Sequence, residues 1–175
     1  STAQGGRSLG YGKDLLGQLS STSGANQQQL PLFRRSFSWL ATGNADGPLP
    51  ATLKIATQNY SQDSVRNLVA RLGGKAEIVN CPIADASNSC WQDIDVFVFG
   101  QGTPSSASLS NQVSRYLQAS KGVIYLQSSW IDSEGGRQVL LAMGMQLGNY
   151  PGNYYAKPEG TQINANRTAA QQRAA

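Results

Sequence analysis

A glycine-containing turn after an apolar segment is the first feature of this sequence that could support chemistry. Gly100-Gln101-Gly102 follows the apolar residues 96–99 (VFVF). Such a turn can cradle a phosphate, present a nucleophile, or only connect a strand to a helix. A dinucleotide fingerprint would need a third glycine where Ser105 stands, and Pro104 lacks the backbone N–H that a phosphate could use. The phosphate-binding interpretation therefore fails at two named positions.

A nucleophile elbow fails at the same turn, because Gln101 stands between the glycines where serine or cysteine is required. No P-loop lysine follows. The residues fit a structural corner, in which the glycines form the turn and Pro104 with Ser105 or Ser106 begins a helix. A weak anion or sugar contact at the strand end stays open as the alternative. Its candidate residues are Gly100, Gly102 and Thr103.

Other routes to catalysis are few. The chain contains no histidine, which excludes Ser-His-Asp and Cys-His arrangements, histidine acid–base catalysis and His-Glu-x-x-His zinc sites. The five lysines stand at no serine–lysine motif spacing. Asp93 and Asp95 form a close carboxylate set, but they precede the 96–99 strand, whereas ligand sites in open α/β sheets lie at the carboxyl ends of strands. We expect them to be solvated or capping groups.

The two cysteines, Cys81 and Cys90, enclose a polar segment in NCPIADASNSCW. Their spacing is too long for a Cys-x-x-Cys redox or zinc pair, and no second pair completes a metal site. A disulfide across this loop would stabilise the fold by about 2–3 kcal/mol and would indicate an oxidising compartment. Two unrelated free thiols are the alternative, since the geometry that a bridge needs is not visible in sequence.

Aromatic residues in or beside predicted loops form a second candidate binding surface. Exposed aromatic rings can stack on sugars or anchor a protein partner, but large aromatics also commonly cover a sheet edge or core. Both interpretations stay open from sequence alone. The residues are Trp91, Trp130, Tyr150, Tyr154 and Tyr155.

The elements that must position these residues alternate between strand and helix. Short apolar runs alternate with segments of helical periodicity, and glycines often stand where helices should end. Units of this kind predict a doubly wound α/β fold with a mainly parallel sheet and helices on both faces. Strands are predicted at residues 7–11, 53–58, 76–80, 96–99 and 123–127, and helices at 13–19, 32–41, 61–72, 106–120 and 133–143.

Length and charge narrow the function classes. The chain of 175 residues is long enough for one domain, and no apolar run approaches the ~20 residues that a bilayer-spanning helix needs. The net charge is +4, but only 14% of residues are charged and the basic residues are not clustered as a nucleic-acid surface requires. We expect residues 1–157 to form a single α/β domain and residues 158–175 to be a tail or a linker.

Four segments, taken in order, carry a resemblance to a known family: GRSLGYGKDLLGQLS, FRRSFSWLATG, DVFVFGQGTPSSASLS and VIYLQSSWIDSEGGRQVLLAMGMQLGNYPGNYYAKP. Together they resemble the N-terminal domain of secreted bacterial zinc metalloproteases of the enhancin-like, mucin-degrading group, the type of the immunomodulating metalloprotease and accessory colonization factors. The resemblance spans residues 5–157. The loop NCPIADASNSCW also resembles a cysteine pair of that domain, which supports the disulfide and secretion.

The resemblance implies a non-catalytic accessory module with a Rossmann-like or class I glutamine amidotransferase-like fold, placed ahead of a zinc peptidase domain that cleaves O-glycosylated proteins. The His-Glu-x-x-His signature of that peptidase is absent, so no catalytic residue, metal ligand or cofactor is assigned to this chain. Amidotransferase-like folds often hold a cysteine on the strand-to-helix elbow, and the Gly100-Gln101-Gly102 turn has none. We therefore expect a domain that keeps the scaffold without the chemistry.

The expected partners are the downstream peptidase domain of the same polypeptide and a host glycoprotein or glycan, with no nucleic acid and no membrane-spanning segment. The expected location is extracellular or on the bacterial cell surface, including that of a lipoprotein, with the periplasm as an alternative. A stand-alone glycan- or protein-binding module that uses the loops near Trp130 and Tyr150 is the competing function. An enzyme would need a site made only of carboxylates, lysines and hydroxyls.

Overall fold

The computed structural model describes residues 5–12, 15–20, 27–83, 89–127 and 133–146. Within these ranges the strands form one sheet in the order β1-β5-β4-β2-β3, and every neighbouring pair is parallel. This is the doubly wound α/β architecture that the alternating pattern predicts. The strands are β1 (Arg7–Tyr11), β2 (Thr52–Gln58), β3 (Lys75–Ile78), β4 (Val96–Gly100) and β5 (Gly122–Leu126).

The helices cover both faces of the sheet. One face carries α4 and α5, and the other carries α1, α2 and α3, so that two buried apolar clusters lie on opposite sides of the strands. No helix among the described residues is long and apolar enough to span a membrane. The helices are α1 (Leu15–Leu19), α2 (Leu30–Thr42), α3 (Gln62–Arg71), α4 (Leu109–Gln118) and α5 (Glu134–Ala142), with short 3₁₀ turns at Gln27–Gln29 and Cys90–Asp93.

The central strand β4 shows why its sequence is continuously apolar. Phe97 and Phe99 point to the α4–α5 face, while Val96 and Val98 point to the opposite face. All five residues of β4 are buried. A strand covered by helices on both sides cannot alternate polar and apolar residues, because each face lies against a core. Burying side chains of this size contributes on the order of 1.5–3 kcal/mol each.

Helix α3 begins and ends where its sequence predicts. The Ser61 hydroxyl accepts a hydrogen bond from the Ser64 N–H at 3.2 Å, which satisfies one of the free donors of the first turn. At the other end, Gly73 has φ +90° and the Gly74 N–H donates to the Val69 carbonyl at 3.0 Å. The capping serine and the glycine pair therefore fix the bounds of this helix.

The helix after β4 differs from the prediction. It begins at Leu109, whereas Ser106 or its neighbours were expected to start it. The Ser106 N–H instead donates to the side-chain oxygen of Gln138 at 3.2 Å, so the loop after β4 is tied to α5 before it becomes helical. The local capping signal is overridden by this long-range contact.

Candidate functional site

The strand order places a topological switch point between β2 and β4. The connection that leaves β2 leads to β3 on one side, and the connection that leaves β4 leads to β5 on the other side. Connections that leave two adjacent parallel strands in opposite directions open a crevice at their carboxyl ends, and ligands of open α/β proteins bind there. The residues at this crevice are those that directly follow Gln58 and Phe99, which lie opposite each other in the register.

Asn59 fills much of the space beside the glycine turn. Its φ of +51° turns the backbone back over the end of β4. A Cβ on Gly100 would lie 2.1 Å from the Asn59 carbonyl oxygen, and one on Gly102 would lie 2.5 Å from its side-chain nitrogen. Gly100 is thus required by the backbone of Asn59, whereas beside Gly102 only the end of the Asn59 side chain would have to move. On this side of the turn, the space that a ligand would need is filled by Asn59.

Thr103 closes the same turn from inside. Its side chain is buried with 2% exposure, and its hydroxyl donates to the Gly100 carbonyl at 2.7 Å. The Thr103 N–H donates to the same carbonyl at 3.1 Å. The polar atoms of Thr103 therefore serve the turn, and its place in a binding surface stays a prediction. Gly100 and Gly102 remain at the crevice, Gly102 being exposed.

A cavity of about 240 Å³ opens beside this corner, between the end of β4 and the start of α3. Among the described residues that line it, none carries a formal charge. Its lining residues carry amides and hydroxyls as polar groups, and Tyr60 and Leu126 are the lining residues with large apolar side chains. The lining residues are Asn59, Tyr60, Ser61, Ser64, Gly100, Gln101 and Leu126.

The opposite side of the turn is fixed by α5. The Ser133 hydroxyl accepts a hydrogen bond from the Gly136 N–H at 3.1 Å as the helix cap, and it donates to the Gln101 carbonyl. Gly135 lies so close to Thr103 that a Cβ would meet the Thr103 carbonyl at 1.9 Å. In the sequence, Ser133 predicts the start of a helix, with a glycine pair at positions 135–136. The sequence does not show that this helix start lies against the turn after β4.

Asp93 and Asp95 lie far from this site, as their position before β4 predicts. Asp93 is exposed, and the Asp95 carboxylate accepts a hydrogen bond from the Lys54 N–H at 2.8 Å at the amino end of the sheet.

Burial, followed by the nearby Asp95 charge, raises the pKa of Tyr116 well above its usual 10.0. In the part of the chain that the structure describes, no group of three or more His, Cys, Asp or Glu side chains could hold a metal ion.

Cys81 and Cys90 form a disulfide with a Cα–Cα distance of 5.5 Å, which confirms the predicted pairing over the free-thiol alternative. Trp91, which follows Cys90, is only 8% exposed, and its ring contacts Tyr116 edge to face at a centroid distance of 6.4 Å. Trp91 therefore belongs to the core and not to an exposed aromatic surface. The other predicted aromatic residues, Trp130, Tyr150, Tyr154 and Tyr155, lie outside the described residues.

The strand order and the switch point define this chain as a doubly wound α/β domain. Residues 1–154 match the model of the immunomodulating metalloprotease N-terminal domain, and the chain belongs to that family. It is 33% identical over 155 residues to the immunomodulating metalloprotease of Pseudomonas aeruginosa strain PAO1. That alignment covers 87% of this chain but only 16% of the relative's length.

Solved structures of this relative agree. The IMPa metallopeptidase from Pseudomonas aeruginosa superposes with a TM-score of 0.75 at 32% identity, covering 89% of this chain and 17% of the other. A structure of IMPa from the same organism in complex with an O-glycopeptide gives 0.76 at 31% identity, with the same coverage. IMPa metallopeptidase in complex with T-antigen gives 0.76 at 29% identity and covers 94% of this chain and 19% of the other.

Proposed function

We propose that this chain is a non-catalytic accessory domain of a secreted zinc metallopeptidase that acts on O-glycosylated proteins. Its role is structural, orienting or substrate-contacting, and the hydrolytic site belongs to another part of the polypeptide. The family assignment supports the link to a metallopeptidase. The O-glycopeptide and T-antigen bound to the solved relatives support the substrate class.

The observation that carries the non-catalytic role is the packing of Asn59 on the Gly100-Gln101-Gly102 turn. This turn is at the edge of the sheet where α/β enzymes of this architecture place a nucleophile or bind a cofactor. Here the turn offers glutamine between its glycines, and the Asn59 backbone lies against it. The absence of histidine from the whole chain adds further support.

The disulfide supports a location outside the cytoplasm. A bridge between Cys81 and Cys90 persists where the environment is oxidising, as it is for secreted, periplasmic and cell-surface proteins. An extracellular or cell-surface location also brings the domain to the glycoproteins that the attached peptidase would cleave. The peptidase domain of the same polypeptide would be the permanent partner of this domain. A host glycoprotein or glycan would be a transient partner.

A deletion in the parent polypeptide tests this role. We expect a parent that lacks residues 1–157 to keep its zinc site but to cleave O-glycopeptides more slowly or to lose stability. Zinc content, thermal unfolding and the cleavage rate are measured on the whole and shortened proteins. Unchanged stability together with an unchanged rate on every glycopeptide would contradict the proposed role.

A further inference from the structure

We propose that the cavity at the carboxyl ends of β2 and β4 binds one neutral sugar residue of a glycan. This inference rests on the proposed function, because it identifies the surface through which the domain would contact a glycosylated substrate. The cavity lies at the switch point of the sheet, which is where open α/β folds bind their ligands. The strand order, and not the conformation of a single loop, therefore determines where the cavity lies.

The size of the cavity favours a single ring. At about 240 Å³ it is smaller than the roughly 300–1,000 Å³ typical of sites for drug-sized ligands. Asn59 and the close-packed turn limit its depth, since the Asn59 backbone lies against Gly100. A monosaccharide unit at the end or along the side of a longer glycan matches these dimensions.

The polar groups of the cavity favour a neutral, hydroxyl-rich ligand. Asn59 and Gln101 carry amides that both donate and accept hydrogen bonds, and Ser61, Ser64 and Tyr60 carry hydroxyls that do the same. Sugar hydroxyls have the same double capacity. Groups of this kind can exchange hydrogen bonds with a sugar without burying a charge.

The charge near the cavity disfavours an anion. A helix N-terminus attracts negative charge, but the first turn of α3 already contains Asp63. The Asp63 carboxylate pairs with Arg66 at 2.8 Å, and both side chains are exposed. Asp63 already places a negative charge at this helix start, and none of the described lining residues offers a cation to an incoming phosphate or carboxylate. The anion contact that the sequence left open is therefore the weaker alternative.

The apolar surface completes the match. Leu126 is 1% exposed and forms a floor, while Tyr60 is half-buried and packs against the apolar cluster beneath. A Cβ on Gly100 would lie 3.5 Å from a ring carbon of Tyr60, so the ring lies directly beside the turn. A sugar has an apolar C–H face as well as hydroxyls, and an aromatic ring with a polar tip suits both.

Titration of the 15N-labelled chain with sugars, followed by NMR, tests the proposal. The probes are galactose and N-acetylgalactosamine as neutral sugars, with N-acetylneuraminic acid and inorganic phosphate as anions. We expect the neutral sugars to shift the amide signals of residues 59–64 and 100–101 with a Kd of about 1–10 mM, as is reasonable for one small, exposed ligand. The anions should bind more weakly at these amides.

Matched substitutions locate the site. Ser64→Phe fills the cavity from the first turn of α3 and should weaken binding at least about tenfold. Ser114→Phe, on the α4 surface that lines a separate groove, should leave the affinity unchanged. If Ser64→Phe loses its dispersed spectrum, Gln101→Ala replaces it, with Gln118→Ala in the α4 groove as its control.

Three results would overturn the inference: no shift with either neutral sugar, tighter binding of an anion, or binding that survives Ser64→Phe undiminished. These results leave the accessory role intact if deletion of the domain still slows O-glycopeptide cleavage. Conversely, sugar binding with no effect of the deletion would retain the site and contradict the accessory role. The two claims therefore fail in distinguishable ways.

Discussion

The backbone carbonyl oxygen of Asn59 lies 2.1 Å from the position that a Cβ on Gly100 would take. Asn59 follows β2 and Gly100 ends β4, so the contact joins the two strands that flank the switch point. The sequence leaves a ligand contact at the Gly100-Gln101-Gly102 turn open. In the structure, the residue that follows β2 blocks one side of this turn. The space that remains lies toward α3, and this is the cavity lined by Tyr60 and Ser64.

Gly100→Ala tests this contact. The added methyl group must displace backbone atoms of Asn59, and overpacking of this kind costs about 1–3 kcal/mol. We expect the free energy of unfolding to fall by that amount in urea denaturation. Ser105→Ala, at an exposed position of the following loop, serves as the control and should change stability by less than about 0.5 kcal/mol. Equal stability of the two variants would show that the corner is not closed.

The Ser133 cap can be compared with the Ser61 cap. Both hydroxyls accept a hydrogen bond from a first-turn N–H, but the Ser133 hydroxyl also donates to the Gln101 carbonyl. Replacing a capping serine by alanine costs roughly 0.5–2 kcal/mol. We expect Ser133→Ala to lower the unfolding free energy by about 1 kcal/mol more than Ser61→Ala, because it loses this second bond. Equal losses by chemical denaturation would mean that α5 does not hold the turn.

The disulfide is tested by reduction. Removing the Cys81–Cys90 bridge should lower the unfolding free energy by about 2–3 kcal/mol, because the unfolded chain loses a short closed loop. The measurement is urea denaturation with and without dithiothreitol. The double variant Cys81→Ser, Cys90→Ser should be as unstable as the reduced protein and should not respond to the reductant. Free thiols detected by alkylation of secreted, unreduced protein would contradict the bridge and remove the support that it gives to the proposed location.

Tyr116 gives a prediction for alkaline pH. Burial, with the Asp95 charge, raises its pKa well above 10.0, so the folded protein keeps the phenol neutral while the unfolded chain ionises it. The stabilisation is complete below pH about 10 and is lost as pH rises toward the higher folded pKa. Tyr116→Phe should therefore show a shallower fall of unfolding free energy above pH about 10. The unfolding free energies of both proteins are measured by urea denaturation at several pH values. If they fall equally steeply with pH, ionisation of Tyr116 is not the cause of the fall.

The sequence predicts the fold better than the site. Periodicity and caps place β4 and α3 nearly correctly, because local signals and burial agree there. The start of α4 was misplaced, since the Ser106–Gln138 contact joins residues far apart in the chain. Thr103 was a candidate binding residue beside two glycines, yet its hydroxyl donates to the Gly100 carbonyl inside the turn.

Strand order explains why the rest of the site was missed. Asn59, Tyr60 and Ser64 become neighbours of the glycine turn only because β2 lies beside β4, with β3 on its outer side. The alternating pattern predicts a parallel sheet but not the order of its strands. A polar residue directly after a predicted strand, such as Asn59, was the one available signal.

Incubation of the isolated 175-residue chain with an O-glycopeptide, followed by mass spectrometry, tests the central claim most directly. We expect no cleavage, with or without added Zn²⁺, under conditions in which the parent polypeptide cleaves the same peptide. Cleavage by the chain that is abolished by Gln101→Ala or Asn59→Ala, and retained in Gln118→Ala, would contradict it by placing a hydrolytic site at the switch point.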